Sequence, residues 1–224
     1  MRNTEDTRIL ERIDPALEEH VQMIADEFRI GFAAVESLGA PAITVFGSAR
    51  TRENDSAYEQ ARELGRLAVA AGFAVVTGGG PGVMEAANRG AQEAGGMSAG
   101  FNIELPHEQE LNGYCDVGVT FRHFYARKTM LVKAAEALVL FPGGFGTLDE
   151  LFESLVLIQT GKILHFPVCL IGREHWRPLL DWLDELCDRG FISREDLELV
   201  TVTDEPAEAL AVTAKYYERK IGAR

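Results

Sequence analysis

One acidic side chain, Glu150, lies a helical turn beyond the glycine-rich turn Pro142-Gly-Gly-Phe-Gly146. The apolar run Ala137-Leu-Val-Leu-Phe141 enters that turn as a buried strand would. Thr147 opens a helical pattern, with Leu148, Leu151, Phe152 and Leu155 on one face. Strand, glycine loop and helix start together form an anion site, because free backbone N–H groups and the helix dipole point at whatever sits there. Glycine lets a phosphate approach the backbone closely. A phosphate cradle beside a carboxylate suits chemistry on a phosphorylated small molecule. A plainer reading stands next to it. Thr147-Leu-Asp-Glu150 also fits a capping box, which would account for Thr147 and Glu150 without any ligand, at about 0.5–2 kcal/mol of stability.

A second glycine loop, Thr77-Gly-Gly-Gly-Pro-Gly82, occurs earlier in the chain, after the strand pattern Phe73-Ala-Val-Val-Thr77. The helix pattern that follows offers Val83, Ala86, Ala87, Gly90 and Ala91 as a close-packing face. The loop is neither the dinucleotide fingerprint nor a Walker A loop. Alone it reads equally well as a tight strand-to-helix turn. Paired with the later loop, it points to a ligand crevice at the C-terminal ends of parallel strands.

Between the two loops lies Thr120-Phe-Arg-His-Phe-Tyr-Ala-Arg-Lys-Thr-Met130, the densest positive cluster in the chain. Arg122, His123, Arg127 and Lys128 fall at the start of a predicted helix over 125–135. Cations oppose the dipole there, so an anion held nearby would offset the cost. An ordinary solvated helix start is the alternative.

These residues need a scaffold, and the pattern along the chain supplies one. Leu17, Val21, Ile24, Phe28, Phe32 and Val35 mark a first helix over 14–37. Strands are predicted at 42–46, 73–77, 97–101, 115–120, 137–141, 167–171 and 199–202. Helices are predicted at 56–71, opened by a Ser56-x-x-Glu59 capping box, and at 83–94, 125–135, 147–159, 176–187 and 206–220. This alternation predicts an α/β, Rossmann-like, doubly wound and mostly parallel sheet with an extra N-terminal helix. Residues 1–40 would be a helical extension and 41–224 the nucleotide-binding catalytic domain of a single-domain chain.

Composition narrows the function further. The chain has 224 residues, 46% of them hydrophobic, and a formal charge of −13, with a pI near 4.9. Such acidity argues against nucleic acid or anionic membrane as partner. No apolar run reaches the ~18 residues of a membrane span, and the charged start MRNTEDTRILERIDP has no apolar signal core. Cys115, Cys169 and Cys187 read as free thiols of a reducing cytoplasm. The five histidines are scattered, so no metal is expected.

Gly78-Gly-Gly-Pro-Gly-Val-Met-Glu85, Arg127-Lys128 and Pro142-Gly-Gly-Phe-Gly-Thr-Leu-Asp-Glu150 occur in that order. Together they resemble the LONELY GUY family, the cytokinin riboside 5′-monophosphate phosphoribohydrolases, over about residues 42–171. Asn102-Ile-Glu-Leu-Pro-His-Glu108 and the first helix resemble the longer bacterial form. The resemblance implies a Rossmann-like fold, a homodimer or larger homo-oligomer and no cofactor. It implies cleavage of the N-glycosidic bond of adenine-type nucleoside monophosphates, with Arg127 and Glu150 as the catalytic pair. The phosphate loop would be Gly143, Gly144, Gly146 and Thr147, with Phe145, Asp149 and Lys128 beside it. Glu108 matches a ligand-contacting position. Gly47, Ser48, Gly79, Gly80 and Met84 complete the expected substrate-binding set. Many members have Met-His-x-Arg-Lys where this chain has Phe124-Tyr-Ala-Arg-Lys128. With Tyr125 in place of the histidine, plain AMP is an expected substrate beside the cytokinin nucleotide. Nothing in the chain marks a pyridoxal phosphate site, although such proteins are sometimes labelled lysine decarboxylases. A nucleotide or molybdenum-cofactor carrier that binds without hydrolysis is the alternative.

Overall fold

The computed structural model describes residues 16–105 and 110–223. In chain order the elements are α1 (Leu17–Ser37), β1 (Ala42–Phe46), α2 (Ser56–Ala70), β2 (Ala74–Thr77), α3 (Val83–Glu93), β3 (Ser98–Ile103), β4 (Val117–Phe121), α4 (Phe124–Ala134), β5 (Ala135–Leu140), α5 (Phe145–Gln159), β6 (Val168–Ile171), α6 (Arg173–Asp188), α7 (Arg194–Leu197), β7 (Val200–Thr203) and α8 (Pro206–Gly222). The seven strands form one parallel sheet in the order β4-β3-β2-β1-β5-β6-β7. The chain winds outward from β1 to β4, then returns to pair β5 with the other side of β1. The doubly wound expectation is met.

Strand side chains alternate between the two faces, as the pleat requires. Leu138 and Leu140 enter a core with Phe101, Phe121, Met130, Leu131, Leu151 and Trp176. Val139 and Phe141 enter the opposite core with Tyr58, Leu64, Val83, Ala87 and Ala209. Burial on both faces explains why these strands read as unbroken apolar runs. Thr44, buried in β1, donates its hydroxyl to the Leu131 carbonyl of α4 at 2.9 Å.

The first helix packs on its own sheet. A Cβ at Gly31 would strike Met130 of α4 and come within 3.2 Å of Phe121 of β4. Glu27 of α1 accepts the backbone N–H of Arg122 at 2.8 Å and of His123 at 3.2 Å. It also pairs with the buried His123 Nδ1 at 3.0 Å. A carboxylate therefore sits at the α4 start, accepting backbone N–H groups and complementing the positive end of the dipole. Part of the anion expected beside the basic cluster comes from the chain itself.

Several expected details differ. Helix α2 begins after Asp55, whose side chain accepts from Arg52 N–H, and no Ser56 capping box forms. A capping box does form at Ser193 and Asp196, opening the short α7. Strand β3 runs on to Ile103, into what reads as polar loop. Leu151 and Ile158 of α5 lie in the core, so much of that helix's apolar stripe is spent on the monomer's own packing. Beside an apolar groove of about 340 Å³ shared with Leu180, Leu183 and Leu199, α5 leaves Val156 exposed and Phe152 and Leu155 half-buried.

Helices α2 and α3 cross at backbone contact. A Cβ at Gly90 would overlap the Arg62 carbonyl, and one at Gly65 the Ala87 carbonyl. The close-packing face read from Val83, Ala86, Ala87, Gly90 and Ala91 is this crossing. Gly90→Ala is expected to cost about 1–3 kcal/mol in urea unfolding, because neither backbone can yield without separating the helices. Gly113→Ala, which meets nothing within 4 Å, is expected to stay within about 0.5 kcal/mol.

Candidate active site

Reversal of strand order at β1 leaves a crevice above the C-terminal ends of β1 and β5. Three loops meet there. Ser48 N–H donates to the Pro142 carbonyl at 3.0 Å, and Val83 N–H donates to the Ser48 carbonyl at 3.1 Å. Gly47 lies against Val83, and Gly82 lies against Ser48 and Ala49 so closely that a Cβ at either would overlap its neighbour. The cleft they frame holds about 630 Å³ and is lined by Gly47, Ser48, Arg50, Met84, Phe124, Arg127 and the run from Gly144 to Glu150.

Helix α5 starts earlier than Thr147. Its first residue is Phe145 and its cap is Gly144, whose carbonyl accepts the N–H groups of Thr147 and Leu148, each at 3.0 Å. No side chain caps it. Thr147 and Glu150 therefore form no capping box, and the ligand-free account of Glu150 fails. Thr147 is instead buried, packed so tightly on Gly143 that a Cβ there would overlap its hydroxyl.

Glu150 lines the cleft while only 4% exposed. Its Oε2 has no hydrogen-bond partner among the described residues. Burial pushes its carboxyl up to about 7. Lys128 and Arg127 pull against that shift, and Glu153 and Asp149 reinforce it. Arg127 of α4 donates its Nε to the Phe101 carbonyl at 2.7 Å. Its other end lies over Gly78, where a Cβ would overlap Nη2. Burial lowers the Arg127 pKa, and the Glu150 charge opposes that lowering. An acid poised near neutrality beside a desolvated arginine is a functional signature.

The expected residues are not all brought together. Gly47, Ser48, Met84, Arg127, Gly144, Phe145, Gly146, Thr147, Asp149 and Glu150 share the cleft. Lys128 does not line it: Nζ is 3.0 Å from Asp149 Oδ2 and 2.7 Å from Glu153 Oε2. Gly79 and Gly80 are buried beneath Leu111 and Asn112. Asn88 ties that loop down: it accepts from Thr77 Oγ1 at 2.6 Å and Asn112 Nδ2 at 3.0 Å, and donates to Ser98 Oγ at 2.9 Å. The first glycine loop thus seats Arg127 at Gly78 more than it faces the cleft. Gly143 is turned from the cleft lining, its N–H 3.4 Å from His175 Nε2. Glu108 lies outside the described residues. Among the described residues, no group of His, Cys, Asp or Glu is placed to hold a metal ion, and no helix is long and apolar enough to cross a membrane. Sequence reasoning missed Arg50, an exposed cation on the cleft wall. Its only signal was its place two residues past Ser48 on the loop after β1.

A family model described as possible lysine decarboxylase matches residues 84–213. A cytokinin riboside 5′-monophosphate phosphoribohydrolase of Mycobacterium marinum is 32% identical over 158 residues, covering 70% of this chain and 84% of that protein. The chain belongs to the LONELY GUY family. A Mycobacterium tuberculosis protein of the same name is 30% identical over the same shares. Among solved structures, the molybdenum cofactor carrier protein of Chlamydomonas reinhardtii superposes with a TM-score of 0.59 at 28% identity, over 80% of this chain and 99% of that one. Membership in the LONELY GUY family meets the expectation drawn from Arg127-Lys128 and the loop ending in Glu150.

The raised Glu150 pKa carries a stability consequence. Its folded value, about 7, lies above the ordinary carboxylate value of 4.5. Stability linked to the protonated form is complete below pH ~4.5 and is lost as pH rises through about 7. Glu150→Gln is therefore expected to match wild type near pH 4.5 and to exceed it at pH 8, by on the order of 3 kcal/mol. Urea unfolding at the two pH values measures this, and an equal margin at both would refute it.

Proposed function

We propose that this chain hydrolyses the N-glycosidic bond of adenine-type nucleoside 5′-monophosphates, AMP or a cytokinin riboside monophosphate, giving free base and ribose 5-phosphate. The observation that carries it is the buried, partly unpartnered Glu150 carboxylate, set beside Arg127 in the cleft beyond the start of α5. Bond breaking leaves positive character on the ribose, as in glycoside hydrolysis generally. Ionised Glu150 stabilises that charge and takes a proton from the attacking water. The water oxygen bonds to the ribose carbon as the base departs and takes up a proton. Arg127 holds the nucleotide and balances charge. Backbone N–H groups from Gly144 to Gly146 grip the 5′-phosphate, and that remote binding energy orients the sugar.

Glu150→Gln is expected to fold and bind nucleotide, but to turn over roughly 10²–10⁴-fold more slowly, the size of a lost general base. Wild-type kcat is expected to rise through pH ~7 as Glu150 ionises. Arg127→Ala is expected to be slow and to bind more weakly. Incubation with a panel of monophosphates and nucleosides, with chromatography of the released base, tests the reading. Wild-type-like turnover by Glu150→Gln would overturn the mechanism, and release of inorganic phosphate instead of base would overturn the reaction.

The likeness to a molybdenum cofactor carrier favours a second reading, binding without hydrolysis. A carrier gains nothing from a buried carboxylate that costs stability, so absence of base release from every nucleotide is the result that would favour it. For assembly we propose a homodimer or a multiple of it, supported by the open apolar groove beside Phe152, Val156 and Leu183. Light scattering at micromolar concentration is expected to give at least twice the 24.6 kDa chain mass; a monomer refutes it.

A further inference from the structure

A nucleoside monophosphate brings a phosphate carrying up to two negative charges into the cleft of an acidic protein. Four charged side chains line that cleft among the described residues: Arg50, Arg127, Asp149 and Glu150. Arg127 has its Nε on the Phe101 carbonyl and its charge acts on Glu150. Lys128, the cation that stands nearest in sequence to Arg127, is taken up by Asp149 and Glu153. Arg50 is left. Its side chain is exposed and makes no ion pair among the described residues.

The backbone beneath Arg50 is fixed. Its N–H donates to Ser48 Oγ at 3.1 Å. Ser48 in turn is tied to Pro142 and Val83, and Gly82 fills the space under Ser48 and Ala49. Arg50 therefore rises from the β1 side of the cleft, while the backbone of Gly144 to Gly146, at the α5 start, stands on the β5 side. The buried Glu150, with Oε2 unpartnered, marks where the reacting sugar lies in the same cleft.

We propose that Arg50 is the side chain that recognises the 5′-phosphate, closing on it from the wall opposite the α5 start and setting the preference for nucleotide over nucleoside. A guanidinium suits this role because its planar fork of donors matches two phosphate oxygens at once. The proposal takes the bond broken from the hydrolase reading, but what is bound does not depend on that reading.

Arg50→Ala and Arg50→Lys test it, through kcat/KM for AMP and adenosine and through calorimetric binding of ribose 5-phosphate. Arg50→Ala is expected to reduce the AMP-to-adenosine ratio of kcat/KM by about 10- to 100-fold, chiefly through KM for AMP, the range of a lost charge-assisted contact. The Kd for ribose 5-phosphate is expected to weaken by a similar factor, and Arg50→Lys to restore part of both. Because Arg50 is exposed, melting temperatures should agree among all three proteins. An unchanged ribose 5-phosphate Kd overturns the proposal, as does an equal loss on AMP and adenosine. Failure of wild type to bind ribose 5-phosphate also overturns it. Arg50-dependent binding of ribose 5-phosphate by a wild type that cleaves no nucleotide would sustain Arg50 and sink the hydrolase reading.

Discussion

A parallel sheet whose strand order reverses must open a gap at the point of reversal, and here that point is the β1–β5 pair. The connections leaving those two strands depart to opposite faces, which opens a crevice at the strand ends between them. Everything functional in this chain is arranged around that gap. Ser48 bridges its two sides through Pro142, and Val83 anchors the third loop to the first. The glycines at 47 and 82 exist for packing: Gly47 makes room for the Val83 side chain, and Gly82 lets its loop approach the Ser48–Ala49 backbone closer than a side chain permits. The cleft is thus a product of topology, made rigid by a few backbone hydrogen bonds.

Charge management is the second theme. The chain carries an excess of carboxylates, and of the cations clustered around the α4 start only Arg127 lines the cleft among the described residues. Each is handled differently. Arg122 and His123 meet Glu27 through their backbone N–H groups, Lys128 meets Asp149 and Glu153, and Arg127 meets the Phe101 carbonyl and the field of Glu150. Glu150 is starved of hydrogen bonds and pressed toward neutrality by burial. Burying an under-satisfied carboxylate is costly unless something is gained at that spot. Among the described residues it joins an unpartnered oxygen to a place on the cleft wall, which marks it out beyond its position in a motif.

Much of this was legible from residue order alone. Strand β1 falls on the predicted residues 42–46, and the other strands shift by a few residues, because long apolar runs bounded by glycine and proline leave little freedom. The cleft loop before α5 was legible because glycine clusters between a strand and a helix have few other uses. Three things were not. The start of α5 moved to Phe145, since a backbone carbonyl from Gly144 did the work that Thr147 seemed fitted for. The role of Lys128 depends on carboxylates one turn apart on another helix, which only the packing of α4 against α5 decides. The first glycine loop resembles a ligand cradle in composition, but Asn88 and Asn112, distant in sequence, pin it beneath Leu111. Long-range polar contacts of this kind leave no periodic trace.

Glu27 meets its partners Arg122 and His123 across 95 and 96 residues of chain. During synthesis, α1 emerges well before the β4–α4 segment on which it docks. Until then Phe28 and Val35, which pack against the core, have nowhere to go. In a nascent chain α1 therefore waits for residues 117–134, and it settles on the segment that carries Arg127. The elongating chain must therefore carry an unburied amphipathic helix while β1 to β4 are made. That is a period in which a chaperone would find its clearest target at the chain's beginning.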